Sequence, residues 1–282
     1  MGLQARPLCP LIFRAEFTVL VRDGIRNGIA CLASFSKLTA MCCRYLVLRA
    51  HLNELLQRLG VGWLSELASR YNIAPGTKIP VMRRKTKAVS GELAMLRWGL
   101  VPAWTKNDSP GTGLVNARAE GLAGKPSFRD ALRARRCLIP ASGFYEWKIV
   151  GRTRQPWLFQ RRDEQPFFLA GLWETWIAPD GGPLETCAVI TTKPNELMQP
   201  IHHRMPAILP FDAAEAWLDP TAQPERLAAK FLSPFPSGLL MARPVSSRVN
   251  STANDDESCL SAVVPGADTD DGQLAWDLRG DG

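Results

Sequence analysis

The sequence predicts an α+β domain built mainly on antiparallel strands. Three observations predict it. Short apolar or β-branched runs recur along the chain, the clearest being Thr186 to Thr192 (TCAVITT). Turn signals such as Pro75-Gly76 and the charged stretch Arg161-Arg162-Asp163-Glu164 separate them. Helical periodicity is confined to a few segments, so strands dominate.

Taken in order, Arg44 to Val47 is a short strand. His51 to Leu59 (HLNELLQRL) has leucines at 52, 55, 56 and 59, the spacing of an amphipathic helix. Tyr71 to Thr77 (YNIAPGT) carries the Pro75-Gly76 turn. Ile79 to Met82 and Glu92 to Trp98 are strands on either side of a basic stretch, Arg83-Arg84-Lys85. Trp98 to Trp104 (WGLVPAW) leads into a polar Gly/Pro loop, Thr105 to Gly113, which delivers Asn116-Ala117-Arg118-Ala119-Glu120. A helix is expected over Ser127 to Arg135. Cys137 to Pro140, Gly143 to Lys148, Pro156 to Gln160 and Pro166 to Trp173 are further strands, and a last helix is expected around Ala213 to Leu218. The tryptophans at 98, 157, 173, 176 and 217 are expected in the core.

The 282 residues suit one large domain with tails. Residues 1–40 carry a net +3 without periodic apolar residues, and the tail from Gly266 carries −4, so of the chain's +7 the body at 41–265 holds +8. The tail is expected to be disordered. A basic body suits a polyanionic partner. Seven cysteines without a C-x-x-C spacing argue against a zinc ribbon or a secreted disulfide framework and for a reducing compartment. No run of eighteen apolar residues marks a membrane span, and there is no internal repeat.

Met41-Cys42-Cys43-Arg44-Tyr45 has the form of a start placed inside a longer reading frame. Removal of Met41 leaves Cys42 with an α-amine and a thiol on adjacent carbons. The amine, with an unperturbed pKa of about 7.7–8.0, is partly neutral at cellular pH, and the thiolate is the reactive form of the sulfur. Such a 1,2-aminothiol condenses with an aldehyde to an imine, which the sulfur closes to a thiazolidine. The segment 1–40 is then a start codon assigned too far upstream, a propeptide, or an Arg-containing transit peptide. While it remains attached, Cys42 has an amide in place of an amine.

Seven stretches in one order resemble the SRAP (SOS-response-associated peptidase) domain family: Met41-Cys42-x-Arg44-Tyr45, Tyr71 to Pro75, Trp98-Gly99-Leu100-Val101-Pro102-x-Trp104, Asn116 to Glu120, Gly143 to Trp147, Ile201-His202-x-Arg204-Met205-Pro206 and Val249-Asn250. They span about 41–265. The family usually has Cys-Gly-Arg at its start, and here Cys43 takes the glycine's place. The resemblance implies a β-rich SRAP fold and a monomeric protein without cofactor or metal. It also implies covalent crosslinking to abasic sites in single-stranded DNA, including single-strand/double-strand junctions, in a cytoplasmic, nucleoid-associated setting if the source is bacterial.

The same resemblance implies roles residue by residue. Cys42 is the nucleophile. Glu146, set between Tyr145 and Trp147, is an acid/base near the α-amine; by spacing alone it is equally an outward-facing strand residue. His202 protonates the sugar ring oxygen, and its neighbour His203 is expected to point elsewhere, towards solvent. Asn116 holds the amine or a sugar hydroxyl. Arg44, Arg118 and Arg204 are candidates for phosphate contact, Trp104 and Trp147 for base stacking, and Pro75 for a wedge where a duplex ends. Thr191 hydrogen-bonds backbone. Two rival readings stay open: a thiol autoprotease, using Cys42, His202 and Asn116 or Glu146, that cleaves after Met41, and a non-catalytic single-stranded DNA-binding module.

Overall fold

The computed structural model describes residues 44–60, 67–84, 91–106 and 113–263. The extension 1–40, Cys42, Cys43 and the acidic tail lie outside the described residues.

In chain order the elements are β1 (Tyr45–Val47), α1 (Arg49–Arg58), β2 (Arg70–Ile73), β3 (Lys78–Arg83), β4 (Glu92–Trp98), β5 (Asn116–Arg118), α2 (Pro126–Ala134), β6 (Arg136–Ala141), β7 (Gly143–Val150), β8 (Thr153–Arg161), β9 (Phe167–Ile177), β10 (Pro183–Thr192), β11 (Met205–Pro206), β12 (Ile208–Leu209), α3 (Ala214–Leu218), α4 (Pro224–Phe231) and β13 (Leu240–Pro244). The fold is α+β and β-rich, and nearly all pairings are antiparallel. The exceptions are β4 and β5, which both run parallel to β10.

The strands form two sheets. One has the order β13-β8-β7-β1-β2. In the other, β10, β4, β3, β6 and β9 follow one another, and β9 pairs back onto β10, so five strands close into a barrel. Closure leaves those strands no free edge. It also explains the β-branched run in β10, since Thr186 to Thr192 are buried. The partner on one side of β10 changes along its length, from β4 at Thr186 and Cys187 to β5 at Val189 to Thr191. That switch brings Asn116 and Arg118 alongside the C-terminal end of β10.

Alternation along β1, β7 and β8 sends side chains to two different cores. Tyr45, Val47, Phe144 and Phe159 enter the main core shared with the barrel. Phe144 stacks on Phe159 at 5.1 Å, and Tyr45 meets Trp98 edge-on at 5.5 Å, linking the two sheets. Fully burying a side chain of this size stabilises by about 1.5–3 kcal/mol. Leu46, Tyr145 and Leu158 face the other way, against Val245, Val249 and Cys259 of the C-terminal segment. Gly143 makes the contact of β1 with β7 possible: a Cβ there would lie 2.9 Å from both Leu46 Cδ2 and Phe159 O. Gly76 closes the turn after β2 at φ +88°, a conformation open to glycine at little cost.

Three expectations change. Arg83 is not part of a basic connection but the buried last residue of β3. Its guanidinium is 2.7 Å from both Glu92 Oε1 and Glu185 Oε1 and 4.2 Å from the centre of the Trp173 ring. Trp157 is half-buried, whereas the tryptophans at 98, 173, 176 and 217 are buried as expected. The strands β2, β5 and β13 and the helix α4 were not anticipated. No helix among the described residues is long and apolar enough to cross a membrane.

Candidate active site

Glu146 shares its face of β7 with Phe144 and is 1 % exposed. Its position rules out the outward-facing reading: it faces inward, towards the barrel. From the opposite side the loop between β10 and β11 carries His202, whose Nδ1 lies 3.7 Å from Glu146 Oε1. That spacing is within ion-pair range but too long for a direct hydrogen bond.

His202 is held through Nδ1. Nδ1 is 3.0 Å from the carbonyl oxygen of Arg204 as well as close to the Glu146 carboxylate. Nδ1 also meets a donor, the Arg204 backbone N–H at 3.2 Å, so either ring tautomer finds a partner on that side. Burial pushes the His202 pKa down. The Arg204 carbonyl opposes that shift, and the charges of His203 and Arg204 add to it. The two imidazoles do not diverge as expected: their centroids are 4.4 Å apart and their planes 41° apart. The turn through residues 201–203 is not extended, so strand alternation does not separate them. His203 is solvent-exposed.

Arg204 is held from two sides. Its Nη1 and Nη2 lie 2.7 and 2.9 Å from the Glu120 carboxylate oxygens, and Nη2 also donates to Thr191 O at 2.6 Å. The Arg204 hydrogen bonds hold the Glu120 carboxyl below its usual range. Thr191, fully buried, anchors Arg204 through its backbone. These contacts organise the His202 turn, and they leave less of the Arg204 guanidinium for a phosphate. Asn116, half-buried, pairs with Val189, and exposed Arg118 pairs with Thr191 on the same side of β10.

A second cluster lies on the outer face of β7. Arg44 donates from Nη1 to Asn72 Oδ1 and to Val249 O, both at 2.7 Å, and its guanidinium carbon is 5.9 Å from the Trp147 ring centre. Trp147 Nε1 donates to Asn250 Oδ1 at 2.7 Å. Asn72 Nδ2 reaches three carbonyls, those of Val249 at 3.1 Å and of Ser251 and Asn254 at 2.8 Å each. Asp255 accepts from the backbone N–H groups of Tyr71 and Asn72 and pairs with Arg70. The Val249-Asn250 stretch therefore closes over the start of β1. Arg44 O accepts from Tyr145 N at 3.0 Å, one residue before Glu146.

Trp104 is 65 % exposed, presented by a loop whose Thr105 O accepts from Trp176 Nε1 at 2.7 Å. Pro75 is half-buried in the turn after β2. No hydrogen bond, ion pair or ring contact joins either to the Glu146–His202 pair among the described residues. Cys42 lies outside the described residues. The described cysteines, Cys137, Cys187 and Cys259, are buried and unpaired, and burial raises all three thiols, which suppresses the thiolate. No group of three or more potential metal-binding side chains occurs among the described residues.

Sequence reasoning missed Glu120, Asn72 and Asp255. Glu120 and Asn72 lie within stretches already quoted, but nothing in spacing tells a carboxylate that clamps an arginine from a solvated one.

Residues 41–252 match the SOS response associated peptidase (SRAP) family. The chain is 38% identical over 226 residues to the abasic site processing protein YoqW of Bacillus subtilis, covering 79% of this chain and all of YoqW. It is 35% identical over 236 residues to the abasic site processing protein HMCES of Gallus gallus, covering 72% and 70% of the two chains. A crystal structure of a Bordetella bronchiseptica protein superposes with a TM-score of 0.63 at 27% identity, covering 73% of this chain and all of that one. A family match across three-quarters of its length, together with relatives 35–38% identical, places the chain in the SRAP family.

Proposed function

We propose that this protein processes abasic sites by forming a covalent thiazolidine between Cys42, exposed as the N-terminal residue, and the ring-opened aldehyde of the lesion in single-stranded DNA. The observation that supports this most is the Glu146–His202 pair at 3.7 Å. A buried carboxylate beside an imidazole is equipment for moving protons. Arg44, two residues after Cys42 in the sequence, accepts through its carbonyl from the N–H of Tyr145, the residue before Glu146. The names of YoqW and HMCES point to the same lesion.

The chemistry proceeds in three steps. His202, as imidazolium, gives a proton to the sugar ring oxygen while the C1 hydroxyl gives its own to solvent water, and the C1–ring oxygen bond breaks to open the ring to an aldehyde. The neutral Cys42 amine adds to the carbonyl carbon and passes one proton to its oxygen; Glu146 supplies the proton with which that hydroxyl leaves as water and takes back the remaining nitrogen proton, giving an imine. The Cys42 sulfur then adds to the imine carbon. Its proton passes through Glu146 to the nitrogen, closing the five-membered ring with one water released overall. Arg44, Arg118 and Arg204 supply positive charge along the strand, Trp104 and Trp147 offer ring faces to unpaired bases, Pro75 marks the duplex end, and Asn116 holds the amine or a sugar hydroxyl.

The test begins with intact mass of the active protein, expected to show Cys42 as the first residue. Abasic single-stranded DNA is then incubated with the protein and run on a denaturing gel. An adduct is expected for the wild type and none for Cys42→Ala, whose DNA affinity stays within about twofold because charge and stacking lie elsewhere. A full adduct yield from Cys42→Ala, or activity with residues 1–40 retained, overturns the mechanism.

A further inference from the structure

The β7–β8 hairpin extends beyond the site in a way no role above accounts for. Its tip turns through Gly151 (φ +60°) and Arg152, between Val150 and Thr153. Ile149 is 71% and Val150 44% exposed. Arg152 and Arg154 are exposed, and neither side chain has a hydrogen bond or ion pair among the described residues. No acidic residue occurs between Trp147 and Gln160.

Alternation sets these side chains in a row. Trp147 and Ile149 share the outer face of β7, and Ile149 is directly paired with Arg154 of β8. Behind Trp147 stands Arg44, 5.9 Å from its ring. The row from Arg44 through Trp147 and Ile149 to Arg154, with Arg152 at the tip, thus alternates cations with an aromatic and an aliphatic surface. Four residues of strand separate Trp147 from the tip, about 13 Å. That is a reach of at most about four nucleotide steps at the 3.4 Å spacing of a stacked strand.

We propose that this hairpin is a second contact for single-stranded DNA, gripping the strand that flanks the lesion. Ile149 packs on an unpaired base, and Arg152 and Arg154 contact phosphates. An unpaired strand is the occupant because a duplex offers no free base face for an exposed isoleucine, whereas the uncompensated arginines suit its phosphates. The inference rests on the DNA-binding reading above and names where the flanking strand runs.

The experiment measures equilibrium binding of the full chain by fluorescence anisotropy, using a tetrahydrofuran abasic analogue that cannot crosslink. One oligonucleotide has a single nucleotide on each side of the analogue, the other about ten, within the range of known single-strand sites. The wild type is expected to prefer the long strand. Arg152→Glu/Arg154→Glu is expected to cut the long-over-short affinity ratio about tenfold or more and to flatten the log–log salt slope on the long strand by about 1.4, two contacts at about 0.7 each. Ile149→Ser is expected to lower the ratio without changing the slope. A wild type that prefers the long strand, with both variants keeping that preference, overturns the hairpin proposal alone. A wild type with no salt-dependent binding to either length overturns the DNA-binding reading, and this inference with it. An equal loss on a blunt duplex of the same length refutes the commitment to an unpaired strand.

Discussion

Glu120 and Arg204 form a two-pronged ion pair, with both carboxylate oxygens within 2.9 Å of the guanidinium nitrogens. Its consequence falls on His202, whose Nδ1 is 3.0 Å from the Arg204 carbonyl. Glu120 is therefore a positioning residue acting through Arg204. Glu120→Ala frees a nearly buried guanidinium and loosens the turn that aims the imidazole. The expected result is about a tenfold to hundredfold slower single-turnover crosslinking of an ordinary abasic site. Glu120→Gln, which keeps one acceptor, should recover part of the rate, and affinity for the tetrahydrofuran analogue should stay within about twofold. An unchanged rate, or a loss that appears wholly in affinity, refutes the positioning role.

The pH dependence follows from two groups with opposite requirements. In the proposed mechanism His202 acts as an acid, and burial holds its pKa below the usual value near 6.5, so the imidazolium is present at low pH and is lost as pH rises. The Cys42 amine, unperturbed at about 7.7–8.0, is active only when neutral, so its contribution grows with pH. Crosslinking of a closed sugar is therefore expected to pass through a maximum between the two values. An aldehyde that cannot cyclise should show the rising limb alone. The measurement is the initial crosslinking rate between about pH 5 and 9 on both substrates. A falling limb above pH 7 that persists in His202→Ala assigns that limb to another group.

Asn72 is a structural counterpart. It is 2% exposed, accepts from Arg44 and serves three carbonyls of the C-terminal segment. Asn72→Ala removes the Nδ2 donor from the carbonyls of Ser251 and Asn254, at about 1–3 kcal/mol for each that stays unsatisfied, while Val249 O keeps its bond from Arg44. A total near 3 kcal/mol corresponds to a fall in Tm of about 6–12 °C for a domain of this size. Calorimetry showing a shift under about 2 °C means that the segment is held by Asp255 and packing instead.

What could be read from the sequence divides along physical lines. The long strands were legible because burial demands runs such as Thr186 to Thr192 or Cys137 to Pro140. Barrel closure was not, because the pairing of β9 with β6 and β10 is non-local and leaves no mark in either strand. β2 was missed because Arg70-Tyr71-Asn72-Ile73 carries polar residues whose partners come from residues 249–255. Arg83 was misplaced because its neutralising carboxylates, Glu92 and Glu185, arrive from two other strands. At the candidate site, the Tyr145-Glu146-Trp147 alternation puts Glu146 on the opposite face from its neighbours, but spacing alone does not say that this face is buried. The tilted contact of His202 with His203 depends on a turn geometry that no strand pattern encodes.

Glu146 and His202 are expected to fail differently. The two groups are 3.7 Å apart and approach from different sheets, and in the proposed mechanism they serve different atoms of the lesion. Glu146 manages protons at the amine and sulfur, and those steps occur whether or not the sugar was closed at the outset. Glu146→Gln should therefore slow crosslinking of an ordinary abasic site and of an aldehyde that cannot cyclise by the same factor. His202 acts at the ring oxygen, so His202→Ala should slow the closed sugar and leave the pre-opened aldehyde much closer to wild type. Because the ring oxygen regains its bond when the adduct reverses, His202→Ala should also slow release. General acid–base groups contribute about 10²–10⁴-fold, so single-turnover rates on the two substrates separate the patterns clearly. If each variant loses the same factor on both substrates, the two residues act as one proton-relay unit and the division of labour is wrong.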